Sequence, residues 1–263
     1  MSERPRHDVR TGPAELAPWV RFARTVPGAE TRLLCFHHAG GAADTYRDWP
    51  AALAPYGIEV WPIQLPGRGP RFSEPVPDDL DALTTTLWDV LGDRLQPGRY
   101  ALYGLSAGAA VAYAFAVRGV LAGYPPPLGL FLVGQRPAGR PDPDHPLHLL
   151  APDDFQRKVR SFGGLPDEVF AHPDLLDLAL QVIRADLRLI ETCDRTGWPL
   201  LDCPVTVAAG ETDANVPLDV LPAWQEITRR PVTTVALPGG HFPPPVAVRR
   251  LRGVVAGALA APG

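Results

Sequence analysis

The chain has 263 residues, of which 46% are hydrophobic and 21% charged, and its formal net charge is −4. That balance supports a sizeable core, excludes disorder except at the ends, and argues against a general nucleic-acid binder. Cys35, Cys193 and Cys203 are scattered with no C-x-x-C pair, so neither a disulfide framework nor a zinc site is expected and a reducing compartment is the default.

The N-terminus is polar and no apolar h-region follows it, so it does not read as a secretory signal. No apolar run approaches the ~20 residues of a membrane span, and the expected location is the cytoplasm. The length admits one or two domains at about 150 residues each, and one large α/β domain over 1–263 fits the pattern of elements.

Residues 1–30 are rich in proline and charge and read as a loose arm with an edge element. Arg32–Phe36 is a short apolar run that enters the glycine loop His37-His38-Ala39-Gly40-Gly41, a strand followed by a turn. A second strand, Ile58–Ile63, closes in Leu65-Pro66-Gly67-Arg68-Gly69. Leu80, Leu83, Leu87, Val90, Leu91 and Leu95 repeat at a helical period, with Asp78 or Asp79 as the cap.

Tyr100–Tyr103 is the next apolar run, and a small-residue helix follows from Ala109 to Val117. Leu128–Val133 is a strand. Residues 135–180, rich in Pro, Asp and His, interrupt the alternation and read as a lid insertion with a helix near 152–161. Helical spacing returns over 176–192. Strands at 205–209 and 232–237 and helices at 218–228 and 244–260 complete the chain. Strands alternating with helices imply a mostly parallel sheet covered on both faces.

Between the run at 100–103 and the helix stands Gly104-Leu105-Ser106-Ala107-Gly108, the G-x-S-x-G pattern. Strand, tight turn and helix form the context in which that pentapeptide makes a nucleophile elbow. The two glycines allow the sharp turn and the close approach of helix to strand. In α/β-hydrolases the chain order is serine, acid, histidine. Asp213 follows the strand at 205–209 and His241 follows the strand at 232–237, 28 residues later.

Catalytic groups of such sheets gather at the carboxyl ends of the strands. A serine hydroxyl needs a base, and an imidazole needs a carboxylate to hold its tautomer. Ser106, His241 and Asp213 are therefore the candidate triad, with Glu211 and Asp186 as rival acids. The candidate oxyanion donors are the backbone N–H groups of Ala107 and Ala39. The His37-His38 pair has no third ligand at a metal-binding spacing, so no metal is expected.

Five blocks carry a family resemblance: Phe36–Gly41, Gln64–Arg71, Gly104–Gly108, Ile183–Asp186 and Gly239–Phe242. In this order, over residues 30–245, they resemble type II thioesterases, the stand-alone α/β-hydrolases that accompany polyketide synthases and non-ribosomal peptide synthetases. The resemblance implies the triad Ser106–Asp213–His241, a lid over the pocket, and hydrolysis of acyl thioesters from the phosphopantetheine arm of acyl or peptidyl carrier proteins. No cofactor is implied beyond the arm that the carrier brings, nor nucleic acid or membrane, and the enzyme is expected to be a monomer.

The sequence departs from the family at Leu105, where His is usual, and at His37, where Pro is usual. Leu105 makes the surroundings of the nucleophile less polar and is a candidate substrate contact. Arg68 and Arg71 follow a strand end; they either meet the pantetheine phosphate or an acidic carrier protein, or pair with carboxylates in a structural turn. Arg136, Arg140, Arg157, Lys158 and Arg160 give the lid a basic tendency that an acidic carrier would favour. Two readings compete with hydrolysis: an acyltransferase, cyclase or esterase using the same acyl-enzyme, and a non-catalytic carrier-binding module.

Overall fold

A computed structural model describes residues 16–95, 99–137, 144 and 146–260. Six strands form one sheet: β1 (Thr31–Phe36), β2 (Ile58–Pro62), β3 (Tyr100–Leu105), β4 (Leu130–Val133), β5 (Val205–Gly210) and β6 (Val232–Leu237). Their order is β2-β1-β3-β4-β5-β6 and every pairing is parallel. β3 is central, and its residues are buried throughout, as expected of a strand covered on both faces.

The period of two along the strands divides the core. Leu34 and Phe36 of β1 face the layer formed by α2 (Leu80–Leu91), α3 (Ala107–Leu121) and α6 (Pro173–Glu191). Leu33 and Cys35 face the layer of α1 (Trp49–Leu53) and α7 (Pro245–Ala260). Helix α3 is buried on nearly all sides, which explains its alanines: small side chains let it lie against the sheet. Trp88 of α2 stacks on Phe115 of α3, with centroids 4.5 Å apart and planes at 9°.

The expected elements are present with shifted ends. Asp79 is the cap of α2, accepting from the N–H of Asp81 at 2.6 Å. The helix stops at Leu91, and Leu95 lies beyond a 3-10 turn at Gly92–Arg94. The helix expected over 218–228 is 3-10 in character over Leu218–Ile227, with Pro222 inside it; a proline there removes an α-helical donor. The edge element expected before residue 30 is a single antiparallel bridge, Val20 to Ile63. Residues 1–15 lie outside the described residues.

Between β4 and β5 the chain makes its long excursion. It contains α4 (Pro152–Phe162), α5 (Asp167–Phe170) and α6. Prolines at the first positions of α4 and α6 suit helix starts, where the missing N–H is not needed. The Glu191 carboxylate accepts from the N–H groups of Leu147 and His148 and pins the beginning of the excursion to α6. Among the described residues no helix is long and apolar enough to cross a membrane.

Candidate active site

Ser106 is the residue between β3 and α3, with φ 53° and ψ −123°. A non-glycine residue in that region is strained, and a strand-to-helix elbow is a place where such strain is held. Its N–H is fixed by the Val133 carbonyl at 2.7 Å. A Cβ on Gly104 would lie 2.2 Å from the Gly108 carbonyl oxygen, and one on Gly108 2.2 Å from the Phe36 oxygen. Both glycines are therefore required by backbone packing around the serine.

The turn after β6 brings His241 to the same end of the sheet. His241 Nε2 lies 3.0 Å from Ser106 Oγ, and Nδ1 lies 2.9 Å from Asp213 Oδ2. A carboxylate only accepts, so Nδ1 carries the proton and Nε2 is left to accept from the serine hydroxyl. Asp213 Oδ1 is occupied by the N–H groups of Asn215 at 2.9 Å and Val216 at 3.2 Å. Burial pushes this carboxyl up, but the hydrogen bond and charge of His241 and the two amides outweigh it, and the net shift is downward.

The rival acids stand apart from this chain of contacts. Glu211 is exposed. Asp186, on α6, is buried and bonded to Arg68 Nη2 at 2.5 Å and to the Gly40 N–H at 2.8 Å. Burial raises the Asp186 carboxyl, against the effects of Arg68 and Gly40.

Ala39 sits on the loop after β1 and lines the pocket beside Ser106. Ala107 is the first residue of α3, so its N–H belongs to the helix amides that lack an intrahelical acceptor. Gly40 has φ +73°, and a Cβ there would strike Ile183 at 2.5 Å; Asp186 holds that same residue by its N–H. The loop is thus fixed against α6.

Arg68 is not in the pocket. It is 6% exposed, and of the two alternatives its position is that of the carboxylate-paired turn: it stands behind the glycine loop as the partner of Asp186. Arg71 likewise pairs with Glu74 at 2.5 Å. Leu105 is buried at the end of β3 and lines a second cleft, not the pocket at Ser106. Of the basic residues noted above, Lys158 meets Asp144 at 3.0 Å, Arg160 meets Asp167 at 3.5 Å, Arg157 meets Asp154, and Arg136 donates to the Asn215 carbonyl. Arg140 lies outside the described residues.

The pocket itself is apolar apart from the serine and the histidines. Val159 and Phe162 of α4, Leu165, and Ile183 and Leu187 of α6 close it over Ser106. The Phe162 ring lies 4.7 Å from the His241 ring, and the Phe242 ring stands edge-on to His38 at 4.8 Å. Sequence reasoning did not single out Phe162 or Phe242 for this. Phe242 stands in one of the family blocks, whereas Phe162 lies just past the helix expected at 152–161 and carries no signal of its own.

His37 and His38 add a pH dependence. Burial, with the charge of Arg68 acting in the same direction, holds His37 well below its ordinary value, and burial lowers His38. As pH falls, the unfolded chain protonates first at these rings, so stability declines on acidification. The thermal midpoint should change little above about pH 7.5 and fall progressively below about pH 6.5, in the ordinary imidazole range. Asp186, with its raised value, acts in the opposite sense only in the carboxylate range. Calorimetry between about pH 8 and 5.5 checks this, and His37→Gln should make the decline shallower. A midpoint independent of pH over that interval would contradict it.

Residues 31–249 match the family model described as Thioesterase domain. The chain belongs to the thioesterase family. It is 32% identical over 229 residues to thioesterase PikA5 of Streptomyces venezuelae, covering 85% of this chain and 79% of that protein. Among solved structures, RedJ, a thioesterase from the prodiginine biosynthetic pathway in Streptomyces coelicolor, superposes with a TM-score of 0.81 at 33% identity, covering 89% of this chain and 92% of RedJ. BorB, a type II thioesterase from the borrelidin biosynthetic cluster, gives 0.79 at 34% identity, covering 92% and 97%. The sequence blocks and these likenesses place this thioesterase with the type II enzymes, on an α/β-hydrolase fold.

Proposed function

We propose that this thioesterase releases acyl groups from the phosphopantetheine arm of acyl or peptidyl carrier proteins, as an editing or release enzyme of polyketide or non-ribosomal peptide biosynthesis. The observation that carries the reading is the unbroken contact from Ser106 Oγ through His241 to Asp213. It lies at the floor of an apolar pocket, in a chain of the thioesterase family.

The hydroxyl proton of Ser106 passes to His241 Nε2 as Oγ attacks the thioester carbonyl. The tetrahedral oxyanion is held by the N–H groups of Ala107 and Ala39, whose loss would cost on the order of 10²–10³ in rate. The C–S bond breaks, and the departing sulfur takes the proton from His241. A water then gives its proton to His241, its oxygen attacks the ester, and the C–O bond to Ser106 breaks as Oγ takes that proton from His241. The products are the carboxylic acid and the free enzyme. Asp213 keeps the imidazole in the required tautomer and stabilises the imidazolium.

The acyl chain occupies the space under α4 and α6, and the described part of the 135–180 insertion acts as the lid over it. One α/β-hydrolase domain within the chain carries the reaction, as a monomer in the cytoplasm and with no cofactor of its own. Intact-mass spectrometry of a carrier protein loaded with a short acyl group tests the reading. Addition of the enzyme should return the carrier to its free-thiol mass and release the acid. Release as an ester or amide of an added alcohol or amine would identify an acyltransferase or cyclase. Preference for simple esters would identify an esterase, and binding of the carrier without release a non-catalytic module.

A further inference from the structure

His37 stands where the family usually has proline, and no step of the mechanism above uses it. It is 1% exposed, and burial together with the charge of Arg68 keeps its ring neutral near neutral pH. Its Nδ1 lies 2.9 Å from the His38 carbonyl oxygen. A carbonyl only accepts, so Nδ1 carries the proton. Nε2 is then a bare acceptor, and it is buried with no hydrogen-bond partner among the described residues. An unmet buried acceptor is destabilising, and an apolar side chain would not have one. What the ring contributes therefore lies at its other nitrogen.

The carbonyl that Nδ1 reaches belongs to the peptide joining His38 to Ala39, and the N–H of that peptide is the one assigned to the oxyanion. A trans peptide is planar, with its C=O and N–H on opposite edges. Fixing one edge aims the other. The His38 oxygen also accepts from the Gly41 N–H at 3.0 Å, so two donors hold it. The next peptide is held at both edges: the Ala39 oxygen accepts from His38 Nδ1 at 3.0 Å, and the Gly40 N–H donates to Asp186 at 2.8 Å. The Ala39 N–H donates to none of the described residues. The main chain of His37 also supports the elbow, since a Cβ on Gly108 would lie 2.5 Å from the His37 carbonyl oxygen. His37, Ala107 and Gly108 line one small cavity beside α6.

We propose that His37 is a positioning residue of the oxyanion hole: its Nδ1–H pins the His38 carbonyl and so turns the Ala39 N–H toward the oxygen that becomes negative when Ser106 attacks. A carbonyl that accepts two hydrogen bonds also polarises its peptide, which strengthens the N–H on the far edge. His37 does not line the pocket at Ser106, and it acts only through that peptide. The proposal rests on the catalytic reading above.

His37→Leu removes the donor at similar volume. His37→Asn restores one, because the side-chain NH₂ of asparagine can take the place of Nδ1. In His37→Leu the kcat for a carrier-bound acyl thioester should fall about tenfold with KM unchanged, less than the roughly 10²–10³ of a donor lost outright. His37→Asn should recover most of that loss. A kcat within about twofold of the parent in folded His37→Leu overturns the proposal, since a misaimed donor must slow the step that uses it. Should His37→Leu fail to fold, His37→Ala carries the same comparison.

Inhibition by a butyl trifluoromethyl ketone reads the hole without turnover. Ser106 Oγ adds to the ketone carbon, the hydroxyl proton passes to His241, and the ketone oxygen becomes an anion in the hole. The inhibition constant should rise about tenfold in His37→Leu and return in His37→Asn, as expected of a contact made to the tetrahedral oxyanion. The corresponding alcohol, which has no carbonyl to attack, should bind parent and variants alike. Equal inhibition of parent and His37→Leu by the ketone, or an equal loss of affinity for the alcohol, overturns the proposal. So does a parent enzyme that forms no hemiketal. A parent that forms the hemiketal but releases no acyl group from a carrier refutes the proposed function alone, and the inhibitor series still decides the role of His37.

Discussion

Replacing Ser106 by alanine should lower kcat/KM for a carrier-bound thioester by about 10⁶-fold, and replacing Asp213 by asparagine by about 10⁴-fold, as in serine hydrolases whose triad acts as a unit. The second effect follows from the hydrogen bonds around the acid. Asp213 Oδ1 already accepts from the N–H groups of Asn215 and Val216, and Oδ2 accepts from His241. An asparagine there must keep its carbonyl oxygen toward the two amides, so its NH₂ faces His241 Nδ1.

Two donors cannot share that contact. The neutral ring would give up its Nδ1 proton and carry it on Nε2, where it can no longer accept from the Ser106 hydroxyl at 3.0 Å. The fold should be intact in both variants, since neither substitution changes volume greatly. Single-turnover kinetics with a loaded carrier, together with fluorophosphonate labelling of Ser106, measure the outcome. Retention of more than about a tenth of parental activity by Asp213→Asn would refute the assigned acid, because a tautomer error of this kind costs orders of magnitude.

Asp186→Ala should destabilise the protein by about 3–5 kcal/mol, the range for breaking a buried ion pair. Asp186 and Arg68 are 5% and 6% exposed. Removing the carboxylate leaves a buried guanidinium without its ion-pair partner and orphans the Gly40 N–H. Asp186→Asn should lose less, since its amide oxygen can still accept from Gly40. The pair Arg68→Met/Asp186→Leu should recover part of the loss, because two apolar groups need no counter-charge.

Urea unfolding at about pH 7.5 gives the comparison, with equal m-values as the condition for reading midpoints as stability. A difference below about 1 kcal/mol for Asp186→Ala would show the clamp to be dispensable. Fluorophosphonate labelling below the melting temperature separates this variant from a triad variant: Asp186→Ala should still react, and Ser106→Ala should not.

The elbow was legible because its constraints are local. Two glycines, a serine and an apolar run on each side specify a strand, a strained turn and a helix in consecutive residues. Chain order then pointed to Asp213 and His241, each just after a strand of a parallel sheet. Glu211 and Asp186 compete with Asp213 in the sequence, since all three are carboxylates downstream of the serine. The structure separates them: Asp213 meets His241, Asp186 meets Arg68, and Glu211 is exposed.

Arg68 shows the opposite case. Its place after a strand end suited a phosphate contact as well as a structural turn, and a basic residue in a glycine-rich turn reads the same way in either role. Its partner is 118 residues away in the chain, and no local signal reports so distant a pairing. Phe162 against His241 is a similar juxtaposition, made by the excursion folding back over the sheet.

The amino-acid sequence by itself determined the alternation of strands and helices, the strained serine and the order of the three reactive groups, because periodicity, glycine placement and chain order are properties of neighbouring residues. Tertiary structure alone decided which carboxylate meets the imidazole and that Arg68 braces a loop inside the protein. Those outcomes depend on burial and on contacts between segments far apart in the chain, where a charge is tolerated only beside the partner that packing brings to it.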